Sequence, residues 1–406
     1  MKEPLRPVTD WELASMIASF GAQKQPVEIV GNGSKSDAGR PMQTSATITT
    51  KGLRSIKLYE PTELVMSAES GASLTMIEAE LAAHGQMLAF EPIDLGPAIG
   101  TPAGQQTIGG VFATNLSGPR RVVAGAARDH LIGAKAVNGR AEMFKSGGRV
   151  MKNVTGYDVA RGLAGSWGTL GVLTEVTFKV LPWPESAVTL LYPGLTDDLA
   201  VEMMCASMGT PFEVSGAVHL SEALAGRLTM LPSNASRTAI TALRIENFVP
   251  SVAYRKDQLA QQLKIYGAPQ ELDYEASLKF WNELRRLSVV TDQTSALWRI
   301  STSPTNAAKL VSAIRKHMTA EAYYDWSGGL IWLEVPATAD AGASDIRRAV
   351  AVHGGHATLI RADAEIRASV EVFQPQTPVL ERITRNLKSA FDPQGLLNPG
   401  RMYAGI

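Results

Sequence analysis

The sequence holds one cysteine, Cys205, which excludes an internal disulfide and points to a reducing compartment. It also lacks net charge, with 39 Lys plus Arg against 39 Asp plus Glu. Nothing therefore draws the chain as a whole toward nucleic acid or an anionic membrane, and any anion binding must be local. No run approaches about 20 uninterrupted apolar residues, so no spanning helix and no membrane anchor are expected. Residues 1–16 show no apolar run behind a basic segment, so no secretory signal is expected and the location reads as cytoplasmic. The sequons at Asn115, Asn153 and Asn234 are then coincidences of composition. There is no H-E-x-x-H, no C-x-x-C and no EF-hand loop, and His353-Gly-Gly-His356 reads as a turn, so no metal is expected. Ala164-Gly-Ser-Trp-Gly168 lacks the first glycine of a nucleophile elbow, which argues against a serine hydrolase. With neither metal nor activated nucleophile in view, a bound organic cofactor is the better carrier of chemistry.

What is present is glycine placed among small polar residues. Residues 102–125, PAGQQTIGGVFATNLSGPRRVVAG, carry Gly104, Gln105, Gln106, Thr107, Gly109, Gly110, Thr114, Asn115 and Gly118, with Arg120 and Arg121 following at once. Short side chains leave backbone N–H groups uncovered, so this stretch can wrap an anionic group; taken alone it can equally be a glycine-rich surface loop. A second such place follows a short strand at Val27–Val30, in Gly31-Asn32-Gly33-Ser34-Lys35-Ser36. It has no G-K-[ST], its third glycine position is Ser36, and Pro41 comes too early for a crossover helix. Walker A and Rossmann turns are thereby excluded, leaving an open anion loop with one lysine beside it.

The 406 residues predict two or more domains. Helical spacing of Leu13, Ile17 and Phe20 behind Thr9 and Asp10 predicts a first helix. Strands are expected at 46–50, 55–59 and 64–69, then a helix after Ser73. Asn138-Gly139 between residues 131–137 and 141–144 reads as a two-residue hairpin turn. A polar, glycine-rich stretch at 146–158 leads through Gly165–Gly171 into a strand at 172–180, and Pro182 and Pro184 mark a boundary. Beyond it, strands at 188–191, 214–219, 240–245, 297–301 and 330–335 alternate with helices at 197–208, 252–266, 276–286, 304–318 and 344–353. That pattern predicts an α+β layer with helices on one side of a mainly antiparallel sheet. The expected divisions are 1–185, 186–377, and a turn-rich terminal segment, 378–406.

Three separated segments share one pattern: the Gly31–Lys35 loop, TIGGVFATNLSGPRR, and GGRVMKNVTGYD with GSWGTLGVLTEVTFKVLP. Together they resemble the PCMH-type FAD-binding domain of the vanillyl-alcohol oxidase superfamily. DPQGLLNPGRMY is similar to the ending of its 2-hydroxy-acid-oxidising branch. At finer grain FEPID, RDHLIG and NPGRMY look most like the family of E-type subunits of bacterial glycolate oxidase; RIENFVPSVAYR, LWRIS and GGHATLIR match it more loosely. The resemblance implies an FAD-binding domain of two α+β subdomains, an α+β cap, and a C terminus returning to the FAD domain.

It implies that Gly31, Asn32, Gly33, Ser34 and Lys35, with Gly104, Gln105, Gln106, Thr107, Gly109 and Gly110, close on the FAD pyrophosphate. Thr114, Asn115 and Gly118 would continue along the ribityl chain and ring, and Gly171 and Val172 would reach the flavin edge; Val172 can also be a plain strand residue. These loops contain no His or Cys, so the FAD is expected to be non-covalent. Substrate contact falls to Arg299, Arg361, Asn398 and Arg401, although a salt bridge on a sheet face serves equally well for either sheet arginine. The His-rich metal motif of the branch's dehydrogenases is missing, so no catalytic base is assigned. The resemblance further implies a D-type flavin subunit and an iron–sulfur subunit as partners, a 2-hydroxy acid as small-molecule substrate, and, through those partners, a place at the inner membrane. The other readings are a free-standing FAD oxidoreductase for another hydroxylated molecule and a flavin-fold assembly module without chemistry.

Overall fold

The computed structural model describes residues 3–148, 156–231 and 238–406. Most of the polar stretch at 146–158, together with Asn153 and Asn234, lies outside the described residues.

The first half begins with helix Asp10–Ala22, whose first turn is capped by Thr9 accepting from the Glu12 amide at 3.1 Å. Its buried Leu13 and Ile17 pack on Val27 and Ile48 of a short parallel pair, Val27–Val30 with Ala46–Thr49. A five-stranded antiparallel sheet follows, in the order Ile56–Glu60, Val65–Glu69, Gly171–Lys179, Leu131–Asn138, Met143–Gly147. Helices Leu74–Ala83, Ile108–Thr114 and Val159–Leu163 bury Ile77, Leu81, Val111, Phe112 and Leu163 against it.

The hairpin between the last two strands differs from the expected two-residue turn. Four residues, 139–142, join them, and it is Ala141 that takes the left-handed conformation, φ 61°. Asn138 Oδ1 accepts from the Arg140 and Glu142 amides at 2.9 and 3.0 Å, which closes the longer loop. Gly139 is needed for a different reason: Asp392, from the far end of the chain, packs where its side chain would be.

The second half is an eight-stranded sheet whose pairings are all antiparallel. In spatial order the strands are Gln270–Leu272, Ser186–Pro193, Ile240–Asn247, Val214–Leu220, Glu321–Asp325, Leu330–Pro336, Ser295–Ser301 and His356–Arg361. Helices Asp197–Met208, Val249–Gln262, Ala307–Arg315 and Ala343–His353 cover one face. The expectation of helices on one side only is corrected here. Helix Tyr274–Arg285, through Phe280, Trp281 and Leu284, lies on the other face with Ala38, Ile93, Leu95 and Leu116 of the first half. A sheet buried on both faces loses the polar–apolar alternation that marks a half-exposed one, and the strand Val214–Leu220 is buried at every position.

A buried charge network joins the halves. Glu91 accepts a two-pronged contact from Arg244 at 2.8 and 2.9 Å, and the Arg120 amide at 2.7 Å. Arg120 in turn pairs with Glu246, and Arg244 lies 4.4 Å from the ring centre of Trp281. The two guanidiniums hold the Glu91 carboxyl down to about 2 despite the opposing effect of its burial, which is the largest single influence.

The chain end comes back to the first half. Lys388, in helix Pro378–Phe391, donates to the Thr169 and Leu397 carbonyls at 2.7 and 2.9 Å and pairs with Asp392 at 2.7 Å. The Val27 amide donates to Leu396 at 2.8 Å. No helix among the described residues is long and apolar enough to cross a membrane.

Candidate functional site

A cleft open to solvent on one side lies in the first half, lined by glycines and small polar residues. Its first wall is the turn after strand Val27–Val30: Gly31, Asn32, Gly33, Ser34, Lys35 and Ser36 all line it. Gly33 takes φ 75°, which lets the chain double back so that the Ser36 amide meets the Gly33 carbonyl at 3.1 Å. The opposite wall is the start of helix Ile108–Thr114, with Thr107, Gly109, Gly110 and Thr114. Thr107 caps that helix, accepting from the Gly110 amide at 3.3 Å. Gly109 lies so close to Ser70 that a Cβ there would meet the Ser70 Cβ at 2.5 Å and its carbonyl oxygen at 2.7 Å. Gly171 and Val172 enter at the start of their strand, where Val172 serves also as a core residue beside Leu13 and Ile17. Asn398 and Arg401 also line it.

The other proposed cofactor residues stand one layer back from the cavity. Gln105 accepts from Asn32 Nδ2 at 2.9 Å and Gln106 from Lys35 Nζ at 2.8 Å, tying the two walls together. Gly104 donates its amide to Asp94 at 2.6 Å. Asn115, at φ 50°, ends the helix and accepts from the Arg128 amide at 2.9 Å. Gly118 packs against the Glu91 carbonyl and accepts from Trp326 Nε1 at 2.9 Å.

The four substrate-contact candidates separate. Arg361 is consumed by structure: it donates to the Ala98, Val290 and Ser295 carbonyls and pairs with Glu334 at 3.2 Å. Asn398 is spent on closing the cavity, accepting from the Ile29 amide at 2.7 Å and donating to the Trp167 carbonyl at 2.7 Å. Arg401 lines the cavity, and among the described residues its guanidinium makes a single hydrogen bond, to the Lys35 carbonyl at 2.7 Å. Arg299 does not line this cavity; it sits on the cap sheet beside Trp326.

Sequence reading missed Ser70 and Thr50, which line the cavity, and it named Ser166, Trp167 and Gly168, which line it too, only as part of the GSWG segment. Trp167 at φ 53° and Gly168 at φ 73° make a turn that GSWG hinted at. Ser70 has no local signature at all.

The donor set suits a diphosphate-bearing cofactor. Ser70 Oγ is buried with no hydrogen-bond partner among the described residues. Lys35 and Arg401 form no ion pair there with any acid, and burial pushes the Lys35 amine down to about 8, with Asp94 opposing. Two cations, an orphaned hydroxyl and a glycine cradle are what a pyrophosphate needs. The lining contains no His or Cys to form a covalent link, and among the described residues no group of His, Cys, Asp and Glu could hold a metal.

Residues 5–147 match the family model described as FAD binding domain. Over 386 residues the chain is 34% identical to glycolate oxidase subunit GlcE of Escherichia coli (strain K12), covering 95% of each. The chain belongs to the GlcE family. Glycolate oxidase subunit GlcD of Bacillus subtilis (strain 168) is 25% identical over 430 residues, which is 97% of this chain and 87% of that one. The structure of p-cresol methylhydroxylase with substrate bound superimposes with a TM-score of 0.73 at 12% identity, over 98% of this chain and 87% of that one. The fold is therefore the α+β PCMH-type flavin fold. As a GlcE-family member the chain is an FAD-binding oxidoreductase subunit, and membership of a subunit family implies a multi-subunit complex.

Proposed function

We propose that this chain holds FAD non-covalently within a glycolate oxidase made with a D-type flavin subunit and an iron–sulfur subunit, contributing to oxidation of glycolate to glyoxylate. The observation that carries the reading is the two-walled cavity, in which Gly31–Lys35 faces Thr107–Gly110 across a space with unpaired cations and an orphaned Ser70 hydroxyl. FAD, when bound, supplies a two-electron acceptor for a hydroxylated carbon. The chain's own part is to neutralise the pyrophosphate through Lys35 and Arg401 and to present backbone N–H groups from the glycine turns. Gly171 and Val172 would bring compact backbone up to the ring edge, and Asn398 holds the Trp167–Gly168 turn against Ile29.

The purified chain is expected to be yellow, and to stay oxidised when glycolate is added until both partner subunits are present. An absorption spectrum across the flavin bands checks this. Bleaching by glycolate alone would mean an independent enzyme, and a colourless protein after gentle purification would sink FAD binding altogether.

Lys35 gives a second expectation. Burial brings its ammonium down to about 8, and a bound diphosphate favours the charged form. FAD affinity should hold below about pH 7 and fall as pH rises through 8, by up to roughly tenfold per unit. Fluorescence titration of the apoprotein between pH 6.5 and 9 measures the slope, and Lys35→Met should flatten it.

A further inference from the structure

Three side-chain hydrogen-bond donors beside the flavin half have no acceptor among the described residues. Arg299 lies on the face of the cap sheet that packs against the first half: its neighbours along the strand, Trp298 and Ile300, belong to the opposite core, and it pairs in register with Trp332 and Thr358. Its guanidinium carbon is 5.3 Å from the ring centre of Trp326 and 6.0 Å from that of Trp332. Arg121, from the arginine pair that follows Gly118, approaches the same Trp326 ring at 4.0 Å. Neither guanidinium makes a hydrogen bond or an ion pair with a described residue. The third donor is Trp332 Nε1, wholly buried and without a partner among the described residues.

No acid among the described residues forms an ion pair with either guanidinium. Asp129 and then Asp325 oppose the effect of burial on Arg121, and Asp325 does so on Arg299. The Asp325 carboxylate accepts from the Trp326 amide at 2.7 Å and from the Tyr323 hydroxyl at 3.3 Å, and burial pushes it up to about 7. Burial first, and then Arg121, bring Arg299 down to about 10, which leaves both guanidiniums charged at neutral pH. His356, on the next strand, feels the same field: partial desolvation and then Arg299 and Arg121 hold its imidazole below the usual range. The backbone under Trp326 is strained as well. Trp326 and Ser327 adopt φ 51° and 61° in succession, conformations that persist only when the neighbourhood over-determines them. Two cations on one indole, with an orphaned N–H nearby, form a site suited to an anion.

We propose that Arg121, Arg299 and Trp332 Nε1 bind the carboxylate end of a small 2-hydroxy acid. Two planar guanidiniums supply forked donors for carboxylate oxygens, and the indole N–H supplies a donor for a third oxygen on the same molecule. Trp326 acts as a positioning residue: its Nε1 is anchored on Gly118, so its ring holds both arginines at fixed height. Among the four arginine and asparagine candidates, this assigns the carboxylate to Arg299 and adds Arg121, which the sequence pattern had grouped with the cofactor stretch. The assignment rests on the chain being an FAD-binding glycolate oxidase subunit.

Calorimetric titration of the FAD-loaded protein with glycolate, and with non-oxidisable oxalate, tests it. Both should bind to the wild type, and Arg299→Gln and Arg121→Gln should each weaken binding at least tenfold with the flavin content, read from its absorbance, unchanged. Arg299→Lys and Trp332→Phe, which keep charge and shape respectively, should give intermediate losses and cover the case in which a glutamine variant fails to fold. Equal affinity in wild type and Arg299→Gln would overturn the proposal, as would a wild type that binds neither acid while holding FAD. Inorganic phosphate binding as tightly as glycolate would overturn the carboxylate assignment. Absence of FAD from the wild type would instead defeat the underlying functional reading.

Discussion

Gly31→Ala should strip the protein of its flavin while leaving it folded. Gly31 has a backbone conformation open to any residue, so the expected effect is not strain but collision. A Cβ at this position would land well inside van der Waals contact of Thr107 Oγ1, and its next neighbours are the Thr107 Cβ and Cγ2 at 3.3 Å. Thr107 cannot swing away cheaply. It is 5% exposed, branched at Cβ, and its hydroxyl caps the helix that forms the opposite wall. The two walls must separate or the cap must break, and either change dismantles the pyrophosphate cradle. FAD affinity is expected to fall at least a hundredfold, read as the flavin-to-protein absorbance ratio and by titration of the apoprotein. Adding Thr107→Ala should restore part of the loss, because removing Oγ1 leaves only the 3.3 Å contact with Cβ; such non-additivity is the signature of direct contact. Independent, additive losses would refute this account.

Glu91→Gln should produce the largest loss of stability. The substitution leaves Arg244 and Arg120 buried around a neutral amide, and removing one partner of a buried network typically costs about 3–5 kcal/mol. Because Glu91 and Arg120 lie in the first half and Arg244 and Glu246 in the second, the expected result is loss of docking between them, seen as an earlier thermal transition. Acid should act in the same direction. The native carboxyl titrates near 2, below its ordinary 4.5. Its stabilising contribution is thus fully present above about pH 4.5 and declines as pH falls toward 2. A Glu91→Gln protein should lose less stability than the wild type across that acid interval. Parallel denaturation profiles for the two proteins would rule the network out as the source.

Local chemistry made the cavity walls legible. A glycine turn after a short strand, and a threonine before a glycine pair, are properties of five to ten consecutive residues. What escaped reading was whatever depended on distant partners. Arg120 and Arg121 read alike in sequence, yet Arg120 enters the charge network with Glu246, 126 positions away, while Arg121 lies over Trp326. Ser70 has no signal of its own, since its place at the cavity follows from Gly109 packing onto it. Asn138-Gly139 misled because the glycine answers to Asp392 rather than to the turn. The second face of the cap sheet was invisible for a related reason: strands buried on both sides show apolar runs that do not reveal which side each helix covers.

The contact between Asn398 and Ile29 has a consequence in time. The two residues are 369 positions apart, so on a translating ribosome the strand at Val27–Val30 emerges roughly 20 to 75 seconds before the asparagine that fastens it. Throughout that interval the glycine turn at 31–35 lacks its clasp, and a flavin captured early would have one side of its berth still unmade. Cofactor retention should therefore be a late event in the life of the polypeptide, completed after synthesis has passed Arg401.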